Sequence, residues 1–324
     1  MTHAIRIHEH GGPDVLRWEE VDVDVPGPGE VRLRQTAAGL NFLDVYHRNG
    51  AYKLPQLPTA LGMEAAGVVE EVGEGVDDLK LGDRVAYAGY MPGAYAEERI
   101  MPAERLVPLP DFIDDQQAAA MMLQGMTVEY LISRTFPVQA GQTVLFHAIA
   151  GGVGLIACQW LKQLGALVIG TAGSDEKAEL AHSHGCDHVI VYGRENIVER
   201  VNEITDGAGV PVVYDSVGKD TWDASIESLQ SRGTMVSFGA ASGVPDDFSV
   251  NQLQFKGSLY VTRPTLLHYI ANRSDLLGSA NALFNAVENG LTVDINQTFS
   301  LEATAEAHRA LEARETTGST VLLP

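Results

Sequence analysis

Along the first hundred residues, apolar positions come in short runs: Val31 to Thr36, Ala66 to Val72 and Arg84 to Tyr87. Turn residues punctuate them at Pro26-Gly27-Pro28-Gly29, Gly73-Glu74-Gly75 and Leu81-Gly82-Asp83. Short strands with frequent turns predict a partly open barrel rather than a parallel sheet. Near Asp114 the texture changes. Asp114-Asp115-Gln116-Gln117 precedes a helical stretch rich in Ala and Met, and a second helix is predicted from Gly125 to Phe136. After Gly141, strand and helix alternate. Strands are predicted at Thr143–Ala148, Leu167–Thr171, His188–Val191, Val210–Val213, Thr234–Phe238 and Ser258–Val261. Helices fit between them, among them Val153–Leu164, Asp175–His184 and Asn196–Thr205. Such βα alternation predicts an α/β chain with a doubly wound parallel sheet.

Beyond Pro264 the pattern predicts a helix at Leu276–Glu288, a short strand at Gln297–Ser300, a helix near Ala303–Arg314 and an apolar strand at Thr320–Leu323. That final strand has no place in the six-strand alternation and is expected to return to the N-terminal barrel.

Charge narrows the function. A formal net charge of −21 repels phosphate backbones, which argues against nucleic acid as a partner. The lysines are Lys53, Lys80, Lys162, Lys177, Lys219 and Lys256. An acidic, lysine-poor surface fits high-salt adaptation, but an ordinary acidic cytoplasmic enzyme is the simpler reading. Cys158 and Cys186 alone supply neither a disulfide framework nor a four-cysteine zinc site, and they fit a reducing, intracellular location. The N-terminus lacks a charged start before an apolar core, so no signal peptide is expected. The apolar stretch from Thr143 to Leu161 approaches membrane-spanning length. Gly151, Gly152, Gly154, His147 and Gln159 interrupt it, and a buried strand, turn and helix explain it better.

The strongest chemical signal is that stretch itself, Val144-Leu145-Phe146-His147-Ala148-Ile149-Ala150-Gly151-Gly152-Val153-Gly154-Leu155. A strand enters a small-residue turn and leaves as a helix, so backbone N–H groups and the helix dipole can meet a pyrophosphate. Ala148 stands where the three-glycine fingerprint begins, a departure from it; tight helix packing alone is the plainer alternative. The next strand reads Leu167-Val168-Ile169-Gly170-Thr171-Ala172-Gly173-Ser174-Asp175-Glu176-Lys177 and carries no terminal acid for a ribose 2′-hydroxyl. Ser174 and Lys177 at a helix start suit a 2′-phosphate instead, and hence NADPH. They read equally as an N-cap and an exposed helix residue, and Asp175 and Glu176 would oppose the anion.

Together the motifs resemble the zinc-independent medium-chain dehydrogenase/reductase family, in particular its NADPH:quinone oxidoreductases of the zeta-crystallin-like group. The resemblance runs in order along essentially the whole chain. It rests on His10-Gly11-Gly12-Pro13-Asp14-Val15-Leu16, Gly39-Leu40-Asn41-Phe42-Leu43-Asp44-Val45-Tyr46, Gly62-Met63-Glu64-Ala65-Ala66-Gly67 and Gly82-Asp83-Arg84-Val85. The glycine turn, Val213-Tyr214-Asp215-Ser216-Val217-Gly218 and Tyr260-Val261-Thr262-Arg263-Pro264 complete it. It implies a GroES-like β-barrel catalytic domain of residues 1–124 and 265–324, with a Rossmann NADPH-binding domain of residues 125–264 inserted and the active cleft between them.

The resemblance also implies site residues. Asn41, Phe42 and Tyr46 would line the nicotinamide end, with Thr127 and Tyr130 along the cofactor. Gly152 and Val153 would meet the pyrophosphate; Gly173, Ser174, Lys177 and Tyr192 would surround the adenosine phosphate. Ser216, Phe238, Gly239 and Arg314 complete the cofactor set. Tyr46, Tyr52 and the backbone near Arg263 would form a flat slot for a small quinone, and Asn41, Tyr46 and Arg263 are the candidate donors to its oxygen. No metal is expected, because Met63 stands where zinc-dependent relatives carry a histidine ligand and Asn41 has no cysteine nearby. Reduction of enones or alkenals by the same fold is the runner-up, and an NADPH-binding structural or RNA-binding protein the second rival. A homodimer is expected through the last sheet strand, Lys256-Gly257-Ser258-Leu259-Tyr260-Val261.

Overall fold

The computed structural model describes residues 2–54, 56–246 and 248–324. The chain divides into two compact units: Met1–Met126, Tyr269–Phe284 and Val293–Pro324 form the first, Thr127–His268 and Asn285–Thr292 the second. Residues 285–292, grouped by the sequence reading with the rest of the tail, thus pack with the second unit.

In the first unit, strands β1 (Thr2–Ile7) and β2 (Arg17–Val21) lead into β3 (Glu30–Leu40) and helix α1 (Phe42–Asn49). Strands β4 (Thr59–Ala60), β5 (Glu64–Val72), β6 (Arg84–Ala88), β7 (Glu98–Pro102) and β8 (Val107–Pro108) follow. Strand β3 organises the barrel. It pairs with β5 along one edge, with bulges at Arg32/Leu33 and Gln35/Ala37, while β7 takes the first half of its other edge. Bulges bend a strand, and the bend lets one strand serve neighbours that diverge. Val31 and Leu33 of β3 join Ile5, Ile7, Leu61, Tyr87, Met101 and Leu106 in one buried core. The last half of β3 pairs with a strand from the far end of the chain, described below.

Helix α2 (Asp115–Tyr130) is one continuous helix ending in a π-turn at Leu131–Thr135, where two helices were expected. Gly125 does not break it. A side chain there would meet Leu283 Cδ1 at 2.4 Å, so the glycine serves close packing.

The second unit alternates as expected. Strand β9 (Thr143–Phe146), α3 (Gly152–Gln163), β10 (Leu167–Ala172), α4 (Asp175–Ser183), β11 (His188–Val191) and α5 (Ile197–Ile204) come first. Then follow β12 (Val210–Asp215), α6 (Trp222–Glu227), β13 (Leu229–Ser237), α7 (Val250–Phe255) and β14 (Tyr260–Thr262). All pairs are parallel, in the order β11-β10-β9-β12-β13-β14. The order reverses beside β9, and ligands of open α/β sheets bind outside the carboxyl ends at such a point. Leu145, Ile169, Ile190, Val213 and Met235 form the core of this unit.

Helices α8 (Leu266–Tyr269) and α9 (Arg273–Glu288) lead to β15 (Ile295–Ser300), α10 (Thr304–Glu312) and β16 (Ser319–Leu323). Strand β16 pairs antiparallel with Ala38–Leu40 of β3 and parallel with β15, so the final strand does complete the barrel sheet. Among the described residues, no helix is long and apolar enough to cross a membrane.

Candidate functional site

The turn after β9 is built from backbone. Ala148 adopts a left-handed conformation, φ 54°, and Gly151 forms the N-cap of α3 with no side-chain cap. The first-turn N–H groups, those of Gly152 and Val153 among them, therefore have no intrahelical acceptor and suit an anion. A side chain at Gly151 would meet only the Ala148 carbonyl oxygen, at 3.4 Å, whereas one at Gly154 would strike Ile149 O at 2.4 Å. Gly154 thus lets the helix seat against the Ala148–Ile149 backbone of the turn, and Gly151 leaves the front of the turn open to a phosphate. These are the features a dinucleotide pyrophosphate requires, so the residues fit the cofactor.

Behind the turn lies a buried polar network that sequence reasoning missed. His147 Nδ1 is 3.1 Å from Thr171 Oγ1 and its Nε2 is 2.9 Å from Ser225 Oγ. Ser225 and Thr221 both donate to Asp215 Oδ2, at 2.8 and 2.7 Å. The Val217 and Gly218 N–H groups donate to its Oδ1, at 2.7 and 3.0 Å. Burial pushes the His147 pKa below its ordinary value, against the opposing charge of Asp215.

At the end of β10, Ser174 caps α4 by accepting from the Lys177 backbone N–H at 3.3 Å. Lys177 is half-buried, while Gly173 and Tyr192 are exposed beside one another; a side chain at Gly173 would meet the Tyr192 hydroxyl at 2.8 Å. Arg194, which the sequence did not single out, clamps Asp175 with bonds of 2.9 and 3.0 Å. That pair offsets one of the two carboxylates expected to oppose a phosphate here.

In the first unit, Asn41 precedes α1 and its N–H donates to Asp44 Oδ2 at 2.9 Å. Asn41 Nδ2 donates to Glu64 Oε1 at 2.6 Å, and Gln124 Nε2 donates to Asn41 Oδ1 at 3.3 Å. The amide is therefore held on both sides. Glu64 is fully buried, its other oxygen accepting from the Leu123 N–H at 2.6 Å. Burial raises its pKa to about 8, against the Asn41 and Leu123 hydrogen bonds. Burial likewise raises Asp44 to about 7, against bonds from Asn41 and from the Tyr95 hydroxyl at 2.8 Å. Phe42, Tyr46 and Tyr52 form a short aromatic ladder: Tyr46 lies 6.4 Å from Phe42 and 5.2 Å from Tyr52, tilted by 52° against the latter.

Of the remaining expected residues, Thr127 and Tyr130 are buried in α2. Ser216 and Phe238 are half-buried in the turns after β12 and β13. Gly239 joins these turns, since a side chain there would meet Ser216 O at 2.5 Å. Arg263 Nη1 donates to Ser237 Oγ at 2.8 Å and to Gly239 O at 2.5 Å, bracing the same turn. Arg314 is exposed and left-handed, φ 62°, just past α10. Met63 is buried. Among the described residues, no group of three or more His, Cys, Asp or Glu side chains is arranged to hold a metal.

Two family models match the chain: the alcohol dehydrogenase GroES-like domain over residues 27–111 and the zinc-binding dehydrogenase domain over residues 152–274. A quinone oxidoreductase of Pseudomonas aeruginosa is 52% identical over 325 residues, covering 100% of both chains. A 2-haloacrylate reductase of a Burkholderia species is 48% identical over 331 residues, covering 100% of this chain and 99% of the relative. The crystal structure of Escherichia coli quinone oxidoreductase complexed with NADPH superposes with a TM-score of 0.98 at 47% identity, covering 99% of this chain and 100% of that one. By fold, glycine turn and full-length similarity, the chain belongs to the medium-chain dehydrogenase/reductase family, within its quinone oxidoreductase group.

Proposed function

We propose that the protein is an NADPH-dependent oxidoreductase that reduces small quinones. The observation that carries this reading is full-length similarity to quinone oxidoreductases, 52% in one case, on a chain whose α3 N-terminus is left uncapped for a pyrophosphate. Bound NADPH supplies the hydride, and the protein supplies binding, orientation and electrostatics. Gly152 and Val153 hold the pyrophosphate by backbone N–H groups. Gly173, Ser174, Lys177 and Tyr192 receive the 2′-phosphate end, with Thr127, Tyr130, Ser216, Phe238, Gly239 and Arg314 along the rest. Asn41, Phe42 and Tyr46 meet the nicotinamide, and Tyr46 and Tyr52 orient the acceptor. The Asn41 amide, fixed by Glu64 and Gln124, and the Tyr46 hydroxyl are the donors to the acceptor oxygen. Arg263 contributes by bracing the Phe238–Gly239 turn.

Met63 and Asn41 supply a thioether and an amide where a zinc site needs imidazole and thiolate, so the reaction proceeds without a metal. An acceptor reduced without a Lewis acid must already be electron-poor, which a quinone is. An alkene conjugated to an electron-withdrawing group is electron-poor in the same way, and the 2-haloacrylate reductase at 48% identity favours that as the second reading. A homodimer paired through the β14 edge and a cytoplasmic location complete the proposal. The test follows NADPH consumption with benzoquinone, an enone and a simple aldehyde, and NADP reduction with an alcohol. Fastest turnover of the quinone is expected. Preference for the enone selects the second reading, and alcohol oxidation without quinone turnover defeats both.

A further inference from the structure

We propose that His147 is a positioning residue for the cofactor turn, acting through its Nε2-protonated tautomer in a one-directional hydrogen-bond chain from Ala148 to Asp215. The direction follows from the donors. Asp215 accepts four bonds, two from backbone N–H groups and two from the hydroxyls of Thr221 and Ser225. The Ser225 proton is thus committed to Asp215, and its oxygen receives the His147 Nε2–H at 2.9 Å. A neutral imidazole protonated on Nε2 must accept at Nδ1, so Thr171 directs its hydroxyl proton there, at 3.1 Å. The Thr171 oxygen in turn accepts the Ala148 N–H at 3.2 Å.

Every member of the chain is satisfied by this one arrangement. His147, Thr171, Asp215 and Ser225 are each fully buried, where an orphaned polar group is strongly unfavourable. One end of the chain fixes Ala148, a non-glycine residue held at φ 54°, in front of α3. The other end fixes the Val217–Gly218 backbone beside Ser216. His147 therefore ties the two turns together and presets both before the cofactor arrives.

The inference rests on the reading of the glycine turn as the pyrophosphate site, and the experiment separates the two. NADPH affinity is measured by quenching of intrinsic fluorescence, alongside Tm, for the unaltered protein, His147→Leu and His147→Asn. Failure of the unaltered protein to bind NADPH would defeat the reading of the turn and leave the tautomer to be judged on its own. His147→Leu should weaken NADPH binding roughly ten-fold, the scale of one hydrogen bond. Asparagine keeps an oxygen near the Nδ1 position to accept from Thr171 but loses the bond to Ser225, so it restores the Ala148 end alone and should recover part of that loss, while Tm falls in both. Equal weakening in the two variants, or none, overturns the proposal. Should His147→Leu fail to fold, ¹⁵N NMR of the unaltered apoprotein decides: an Nε2–H imidazole supports the chain, and an Nδ1–H imidazole or an imidazolium at pH 7 overturns it.

Discussion

The proposed preference for NADPH rests on a few atoms at the start of α4. Ser174 Oγ accepts from the backbone N–H at position 177, so Lys177→Ala removes the ammonium and leaves the helix cap intact. That variant should weaken NADPH binding by about 1.5–3 kcal/mol, the scale of a charge-assisted hydrogen bond, and leave NADH nearly unchanged. Calorimetric titration of both cofactors checks it, and equal affinity for the two in the unaltered protein removes its basis. Ser174 and Lys177 were legible in the sequence because a cap and its helix are local. Arg194 was not: its partner Asp175 lies on another element, and only the fold brings them within 3.0 Å. The same holds for Glu64 beside Asn41 and for the His147 chain, whose partners are separated by up to 78 residues.

At the scale of the element, the end of α10 sets local strain against function. The Glu315 N–H bonds to Ala310 O and the Arg314 N–H to Leu311 O, each at 3.1 Å, which closes the helix around a left-handed residue. Glycine is the usual occupant of that position, and a side chain there costs about 1 kcal/mol. Arg314→Gly should therefore raise Tm and, if the guanidinium reaches the cofactor, weaken NADPH binding at the same time. Higher Tm with unchanged affinity would reduce Arg314 to a helix stop. Element by element, the sequence was readable wherever periodicity and burial coincide, as in β9 to β12 of the parallel sheet. It was misleading where packing overrides propensity. Gly125 looked like a helix start but is only the contact point for Leu283. Strand β13 begins at Leu229 instead of Thr234 because Leu229 pairs with Val210 ahead of a register shift, within which the exposed, polar Gln230-Ser231-Arg232 shows no alternation of its own.

For the molecule as a whole, buried titratable groups make stability depend on pH. Burial raises Asp44 from 3.8 to about 7 and Glu64 from 4.5 to about 8, so their contribution is full below the unfolded values and lost as pH rises through the folded ones. His308 goes the other way: burial and then Arg48 lower it from 6.5 to about 3, so its contribution is present above 6.5 and lost as pH falls. Together these three groups should make Tm fall as pH rises from about 5 to 8, most steeply near 7. Asp44→Asn should make that fall shallower, and a Tm independent of pH from 5 to 9 in the unaltered protein would refute it. Oligomeric state belongs to this scale too. Strand β14 pairs only with β13 among the described residues, Tyr260 on it is 62% exposed, and Phe255 and Val250 just before it are 81% and 72% exposed. Edge-to-edge pairing of two copies would cover this surface, and light scattering should give twice the 34.8 kDa chain mass; the single-chain mass at working concentration would count against it. Finally, the pairing of Thr320 with Leu40 has a consequence for synthesis. As the chain leaves the ribosome, the barrel cannot close until β16 emerges, whereas every strand of the parallel sheet is already out. The second unit is thus free to fold first, while the Ala38–Leu40 half of that β3 edge stays open until β16 arrives.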